Sequence, residues 1–179
     1  MASLFSHAVA ACALAQGAPE RQRTSWRFWY LAVLCAIVPD VDVAGFALGV
    51  RYEDLWGHRG MTHSLLFAVL LGAAAAARLR PGWNKEGLRL AALMIAITAS
   101  HGIRDAFTNG GLGIAFFAPF DASRYFFPWT PVEVSPIGAA GFLSMRGVAV
   151  LKSEIVWIWL PALAVGIVLR ILALRRRTA

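Results

Sequence analysis

Four long apolar runs constrain this chain more than any other feature: residues 28–50, 62–79, 88–107 and 155–174. Each approaches or exceeds the ~20 residues a helix needs to cross the hydrocarbon of a bilayer. A fifth run, 2–16, is shorter. The runs are continuous rather than alternating, which excludes a transmembrane β-barrel. The expected fold is all-α: a polytopic membrane helix bundle of four to five spans, forming a single domain over 1–179. Composition agrees, with 59% apolar and 15% charged residues, against about 25% charged in ordinary soluble domains. A disordered chain and an ordinary cytosolic enzyme are both excluded. Ala-Leu-Ala before Gln16 resembles a signal-peptidase site, yet Met1–His7 carries no Lys or Arg. A retained first helix is therefore expected.

The net charge of +7 is unevenly placed. If the runs alternate across the membrane, Arg21, Arg23, Arg27, Arg78, Arg80, Lys85, Arg89, Arg170, Arg175, Arg176 and Arg177 fall on one side. Only Glu20 and Glu86 oppose them there, so that side carries about +9. The other side carries about −2. The positive-inside rule makes the basic side, with the C-terminus, cytoplasmic. The basic residues lie between apolar runs and form no patch of their own, so no nucleic-acid partner is expected. Cys12 and Cys35 lie inside apolar runs and read as small core residues, without disulfide or zinc spacing.

Residues 109–153 contain no span and fall on the outer side. They are rich in aromatics (Phe116, Phe117, Phe120, Tyr125, Phe126, Phe127, Trp129) and in prolines (Pro119, Pro128, Pro131, Pro136). Prolines this dense forbid a continuous helix, and aromatics favour the headgroup zone. A cap of turns and extended pieces on the outer interface is expected.

Polar islands interrupt the apolar runs: Pro39-Asp40-Val41-Asp42, His58-Arg59-Gly60-Met61-Thr62-His63-Ser64 and His101-Gly102-Ile103-Arg104-Asp105, with His7 isolated. An ionisable group within a span costs about 2.5–3.5 kcal/mol at the helix centre and persists where it pairs, binds an ion or faces water. Alternating spans carry all three islands, and His7, to the same outer depth. His101 and Asp105 are i, i+4 and share a helix face. Pro39 disfavours helix at Val38, so the second run should break there, as membrane helices do where they line a cavity. The candidate metal ligands are His7, Asp40, Asp42, His58, His63, His101 and Asp105. This His/Asp set suits a divalent metal, zinc first and manganese or iron as alternatives, with one or two ions.

At these residues the sequence resembles the LexA-regulated, membrane-bound metal-dependent hydrolases, the YdjM-like inner-membrane proteins. The matching features are His7, Pro-Asp-x-Asp at 39–42, His-Arg-Gly-x-Thr-His-Ser at 58–64, and His-x-x-x-Asp at 101–105 followed by Thr108-Asn109-Gly110. Pro119-Phe120, Arg124-Tyr125-Phe126 and Ser135-Pro136 also fit. The resemblance implies a multispan bacterial inner-membrane protein that binds metal and hydrolyses a bond. The His and Asp supply from helices is also similar, more weakly, to zinc-dependent phospholipase C and its nuclease relatives, although this chain has only four histidines.

The expectation is a metal-activated water acting on a phosphoester or ester of a lipid-like or phosphorylated small-molecule substrate. Asp42 or Asp105 would orient or deprotonate the water, and Arg59 or Arg124 would hold a phosphate. The competing readings are a proton or metal transporter and a non-catalytic membrane scaffold stapled by metal.

Overall fold

The computed structural model describes residues 1–82 and 84–178, with side chains through Arg175. Arg176 and Arg177, counted above on the basic side, have side chains outside that set. The described residues form helices joined by turns. They are α1 (Leu4–Ala15), α2 (Glu20–Arg23), α3 (Trp26–Ile37), α4 (Leu65–Leu79), α5 (Lys85–Asp105), α6 (Ala139–Phe142), α7 (Met145–Glu154) and α8 (Leu160–Thr178). Among the described residues, two stretches are long and apolar enough to cross a membrane: Trp26–Leu48, with 23 residues, and Met145–Arg175, with 31. The helices Leu4–Ala15 and Leu65–Leu79 are apolar but shorter.

The second run breaks at the expected place. Beyond Ile37 the chain continues as a 3₁₀ helix, Val38–Leu48. Pro39 supplies no N–H to the carbonyl of Ala36, three residues back, and cannot extend the α ladder. The last run begins earlier than its apolar residues suggest. α7 starts at Met145 and continues through a π-helical turn, Ile155–Trp159, into α8. Pro161 offers no N–H to the carbonyl of Trp157, so the ladder loosens where the π turn lies. The interfacial segment is thus shorter than 109–153, since its final residues belong to this helix.

The core is built from small side chains. Ala11, Ala15, Phe28, Ala32, Ala36, Ala75, Ala76, Leu90, Met94 and Ile97 pack together. Small residues let helix backbones approach, which is how helices associate where lipid removes the hydrophobic drive. Gly72 marks the closest approach of α4 and α5: a Cβ there would lie 2.5 Å from the backbone nitrogen of Ile95. The outward faces are apolar as well. Leu160, Leu163, Ile167 and Val168 on α8 are each more than half exposed, a contiguous face suited to lipid rather than water.

The aromatic segment folds back over one end of the bundle. Isolated bridges pair Thr108 with Val132 and Ile114 with Tyr125. The N–H of Leu65 donates to the carbonyl of Phe116, that of Ala115 to Arg59, and that of Phe127 to Ala106. Ile114, Ala115, Ala118 and Val132 are buried beneath it, while Phe117, Phe120 and Trp129 face outward. The opposite end gathers Arg21, Arg80 and Arg89 around one cleft, beside Ala173 of α8. Basic connections and the His/Asp islands therefore occupy opposite ends of the bundle.

Candidate metal centre

The polar islands meet at the capped end. α5 brings His101 and Asp105 on one face, the 3₁₀ helix after α3 brings Asp40 and Asp42, and α1 brings His7. The segment 58–64 enters as a tight turn. Arg59 adopts φ 66, and a Cβ on Gly60 would lie 2.2 Å from the carbonyl oxygen of Leu55. The turn ends where Ser64 caps α4, its Oγ accepting from the N–H of Phe67 at 3.1 Å. His7, His58, His63, His101 and Asp105 are buried.

Asp40, His63, His101 and Asp105 each direct one ligand atom into a space where these atoms lie within 4.8 Å of one another. Proton positions follow from the partners. Nδ1 of His101 lies 2.7 Å from the carbonyl oxygen of Ala36, which can only accept, so Nδ1 carries the proton and Nε2 a lone pair. That carbonyl is the one three residues before Pro39. Nδ1 of His63 lies 3.1 Å from Asp42 Oδ2, and Thr62 Oγ1 donates to the same oxygen at 2.6 Å. Nδ1 of His63 is therefore also the donor, and its Nε2 faces Nε2 of His101 at 3.0 Å.

Nε2 atoms 3.0 Å apart need either one proton shared between them or a cation that both face. Asp40 Oδ1 lies 3.6 Å from Nε2 of His63 and 3.4 Å from Nε2 of His101. Asp105 Oδ2 lies 3.8 and 4.0 Å from the same atoms. A tetrahedral ion with ~2.0–2.2 Å bonds separates its ligand atoms by roughly 3.3–3.6 Å. Asp40 Oδ1 and Asp105 Oδ2 are buried with no hydrogen-bond partner, although buried carboxylates ordinarily find one. Donor type, spacing and orphaned acceptors all fit a divalent cation.

Asp42 was expected as a ligand or a base, and its two oxygens lie against His58, Arg59, Thr62 and His63. Its Oδ1 lies 2.7 Å from Nδ1 of His58. Its Oδ2 accepts from the Arg59 N–H at 3.1 Å, from Thr62 at 2.6 Å and from His63. Both oxygens orient imidazoles, as carboxylates behind metal-ligating histidines do. Asp42, His58 and His63 also lie close enough together to hold an ion, but hydrogen bonds already fill those contacts. Burial holds the His58 imidazolium below its ordinary range despite Asp42, so this ring is neutral at pH 7. Its Nε2 is buried without a partner.

His7 reaches the cluster with the opposite polarity. Its ring stacks on His101 at 3.8 Å, and its Nδ1 lies 3.3 Å from Nη2 of Arg104. A guanidinium only donates, so Nδ1 accepts and Nε2 carries the proton. That Nε2 lies 3.4 Å from Asp105 Oδ1 and 4.0 Å from Asp40 Oδ2. His7 thus presents a proton to the carboxylates, whereas His63 and His101 turn their Nδ1 protons away from the cluster and their Nε2 atoms into it.

The two arginines expected to hold a phosphate are otherwise engaged. Arg59 is fully buried; its guanidinium donates to Gly110 O at 2.7 Å and Thr108 Oγ1 at 2.9 Å. Its Nε lies 3.6 Å from Asp105 Oδ2, which places its charge beside the cluster. Arg124 donates to the carbonyls of His58, Tyr52 and Asp54 and braces the loop leading into the His58 turn. Sequence reasoning missed Thr62, whose hydroxyl joins Asp42 to His63. It also missed Glu154, fully buried, which accepts from both the N–H and the hydroxyl of Ser3. An isolated acid at the edge of an apolar run was the available signal.

With this geometry in view, the sequence matches the model of one family, YdjM inner membrane protein, over residues 1–177. The chain belongs to that family. It is also similar to inner membrane protein YbcI of Escherichia coli (strain K12), with 34% identity over 138 residues, covering 76% of this chain and 79% of the relative. No solved structure matches the chain. This family member is a membrane protein with apolar helices and a buried His/Asp group able to hold a metal ion.

Proposed function

We propose that this protein is a membrane-embedded, metal-dependent hydrolase that cleaves a phosphoester or ester bond of a lipid-like substrate at the periplasmic end of its bundle. The observation that carries the proposal is the convergence of acceptor atoms from His63, His101, Asp40 and Asp105, two of them carboxylate oxygens without partners. Zinc suits this mixed imidazole and carboxylate set best, with manganese or iron next. When bound, such a cation supplies a Lewis acid and an activated water at neutral pH. The chain's own groups do the rest. Asp42 fixes the rings of His58 and His63, Ala36 fixes His101, Arg59 offsets the carboxylate charge, and His7 holds a proton at Nε2 beside Asp105.

The separation of charge between the two ends supports four to five membrane-embedded helices with the C-terminus in the cytoplasm. The apolar cluster beneath the site, including Phe28, Met94 and Ile97, is fully buried. It speaks against a polar path across the bundle, which a transporter needs.

The test is metal analysis of the purified full chain, paired with a turnover screen on bacterial lipid extract. Bound divalent metal, and product formation that His63→Ala abolishes, is the expected result. Turnover that persists in metal-free protein overturns the metal-dependent reading. Metal without turnover favours the scaffold, and flux in proteoliposomes without product favours transport.

A further inference from the structure

A groove of about 310 Å³ runs along the side of the bundle, between α1, α5 and the π turn that leads into α8. Its two ends differ. Trp129, Trp157 and Phe107 line it near the capped end, while Leu14, Ala162 and Val165 line it deeper in the bundle. Trp129, Trp157 and Val165 are 57%, 45% and 44% exposed, so the groove is open along one side. Aromatic walls give way to aliphatic walls in the order that a lipid interface gives way to its hydrocarbon.

One cation lines this apolar surface. Arg104 reaches it from α5, with its Nε buried and without a hydrogen-bond partner. Nη2 contacts Nδ1 of His7 at 3.3 Å, a neutral acceptor, and Asp105 acts on the guanidinium through space rather than as a direct partner. A guanidinium with an unsatisfied N–H at an apolar site is costly, and an anion at the mouth of the groove would engage it with charge-assisted hydrogen bonds. His7 connects this cation to the cluster, its other nitrogen lying 3.4 Å from Asp105. The polar end of the groove is thus one imidazole away from the candidate metal ligands.

We infer that the groove seats an anionic phospholipid, with an acyl chain against Leu14, Ala162 and Val165 and the headgroup phosphate at Arg104. A helix from a second copy would fill the apolar part and leave the Arg104 guanidinium without an anionic hydrogen-bond partner, so charge complementarity selects the lipid. The inference rests on the proposed hydrolase only in naming this lipid class as that enzyme's substrate. Binding itself stands apart from turnover.

The experiment titrates the full chain in non-ionic detergent with phosphatidylglycerol or with diacylglycerol of matched acyl chains, which lacks the phosphate, read by native mass spectrometry. The wild type should prefer phosphatidylglycerol by about tenfold, the value of one charge-assisted hydrogen bond near 1.4 kcal/mol. Arg104→Gln should level that preference, and Arg104→Lys should keep most of it. Ala162→Trp, which fills the groove, should weaken both lipids with helix content unchanged by circular dichroism.

Equal binding of the two lipids by the wild type overturns the inference. So does an Arg104→Gln variant that keeps the preference, or an Ala162→Trp variant that turns dimer into monomer without touching lipid binding. Should Arg104→Gln lose its helical signal, the Ala162→Trp result decides. Metal content measured on the same samples separates the two proposals. Selective lipid binding by protein that takes up no metal sinks the hydrolase and leaves the groove standing.

Discussion

The two ends of this bundle handle charge in opposite ways. At the basic end, Arg80 pairs with Glu86 at 2.7 Å while their side chains remain 26% and 63% exposed. Water screens such a pair, and it contributes little to stability. What matters there is the sign and number of charges rather than the partner of each. At the capped end, Asp105 and His63 have fully buried side chains, and the partner of every oxygen and nitrogen has consequences. Exposed charge is tolerant of exchange; buried charge is specified atom by atom, because a lost partner there is not replaced by water.

The largest effect should come from Asp105→Ala. Asp105 accepts from Ala2 N–H at 2.6 Å, lies beside His7 and Arg59, and offers one oxygen to the cluster. Breaking a buried charged network this way costs about 3–5 kcal/mol. Elemental analysis should find no bound divalent metal, and thermal unfolding should shift downward. Asp42→Asn comes next. Removing an orienting carboxylate behind metal-ligating histidines costs roughly 10–100-fold in metal affinity, so a chelator competition titration should show weakened rather than abolished binding. Unchanged affinity would make Asp42 irrelevant to the rings it touches.

A smaller effect should follow Glu154→Gln. The amide oxygen can still accept from Ser3, and the loss should be about 1 kcal/mol, read as a modest drop in unfolding temperature with metal content intact. The smallest belongs to the other end. Arg80→Gln should change stability by no more than about 0.5 kcal/mol and leave metal content untouched. A large effect of Arg80→Gln would break the contrast between the ends, since exposure would no longer predict tolerance.

Much of the site was legible because its residues are out of place. His58, His63, His101, Asp40 and Asp105 stand out against apolar surroundings, and reading the apolar runs as alternating spans was enough to expect them at one depth. The break at Pro39 was equally legible, since proline cannot complete a helix ladder. Roles were not legible. His7 and His101 look alike as letters, yet Arg104 makes the first a proton holder and Ala36 makes the second a lone-pair donor. Arg124 looked like a phosphate ligand until its nitrogens were found on three backbone carbonyls. The early start of the last helix was missed because Met145–Glu154 carries Arg146, Lys152 and Glu154, which apolar-run reasoning reads as loop.

The sequence by itself determined that the chain is helical, apolar on its outside and charged at segregated ends. Lipid leaves a backbone few ways to satisfy its own hydrogen bonds, so a run of apolar residues specifies a helix almost regardless of its neighbours. The tertiary structure alone decided which nitrogen of each imidazole faces the cluster and which partners each carboxylate meets. Those assignments depend on partners from distant segments, Ala36 for His101 and Asp42 for His63, and hydrogen bonds fall off within a fraction of an ångström. No local pattern carries information at that precision.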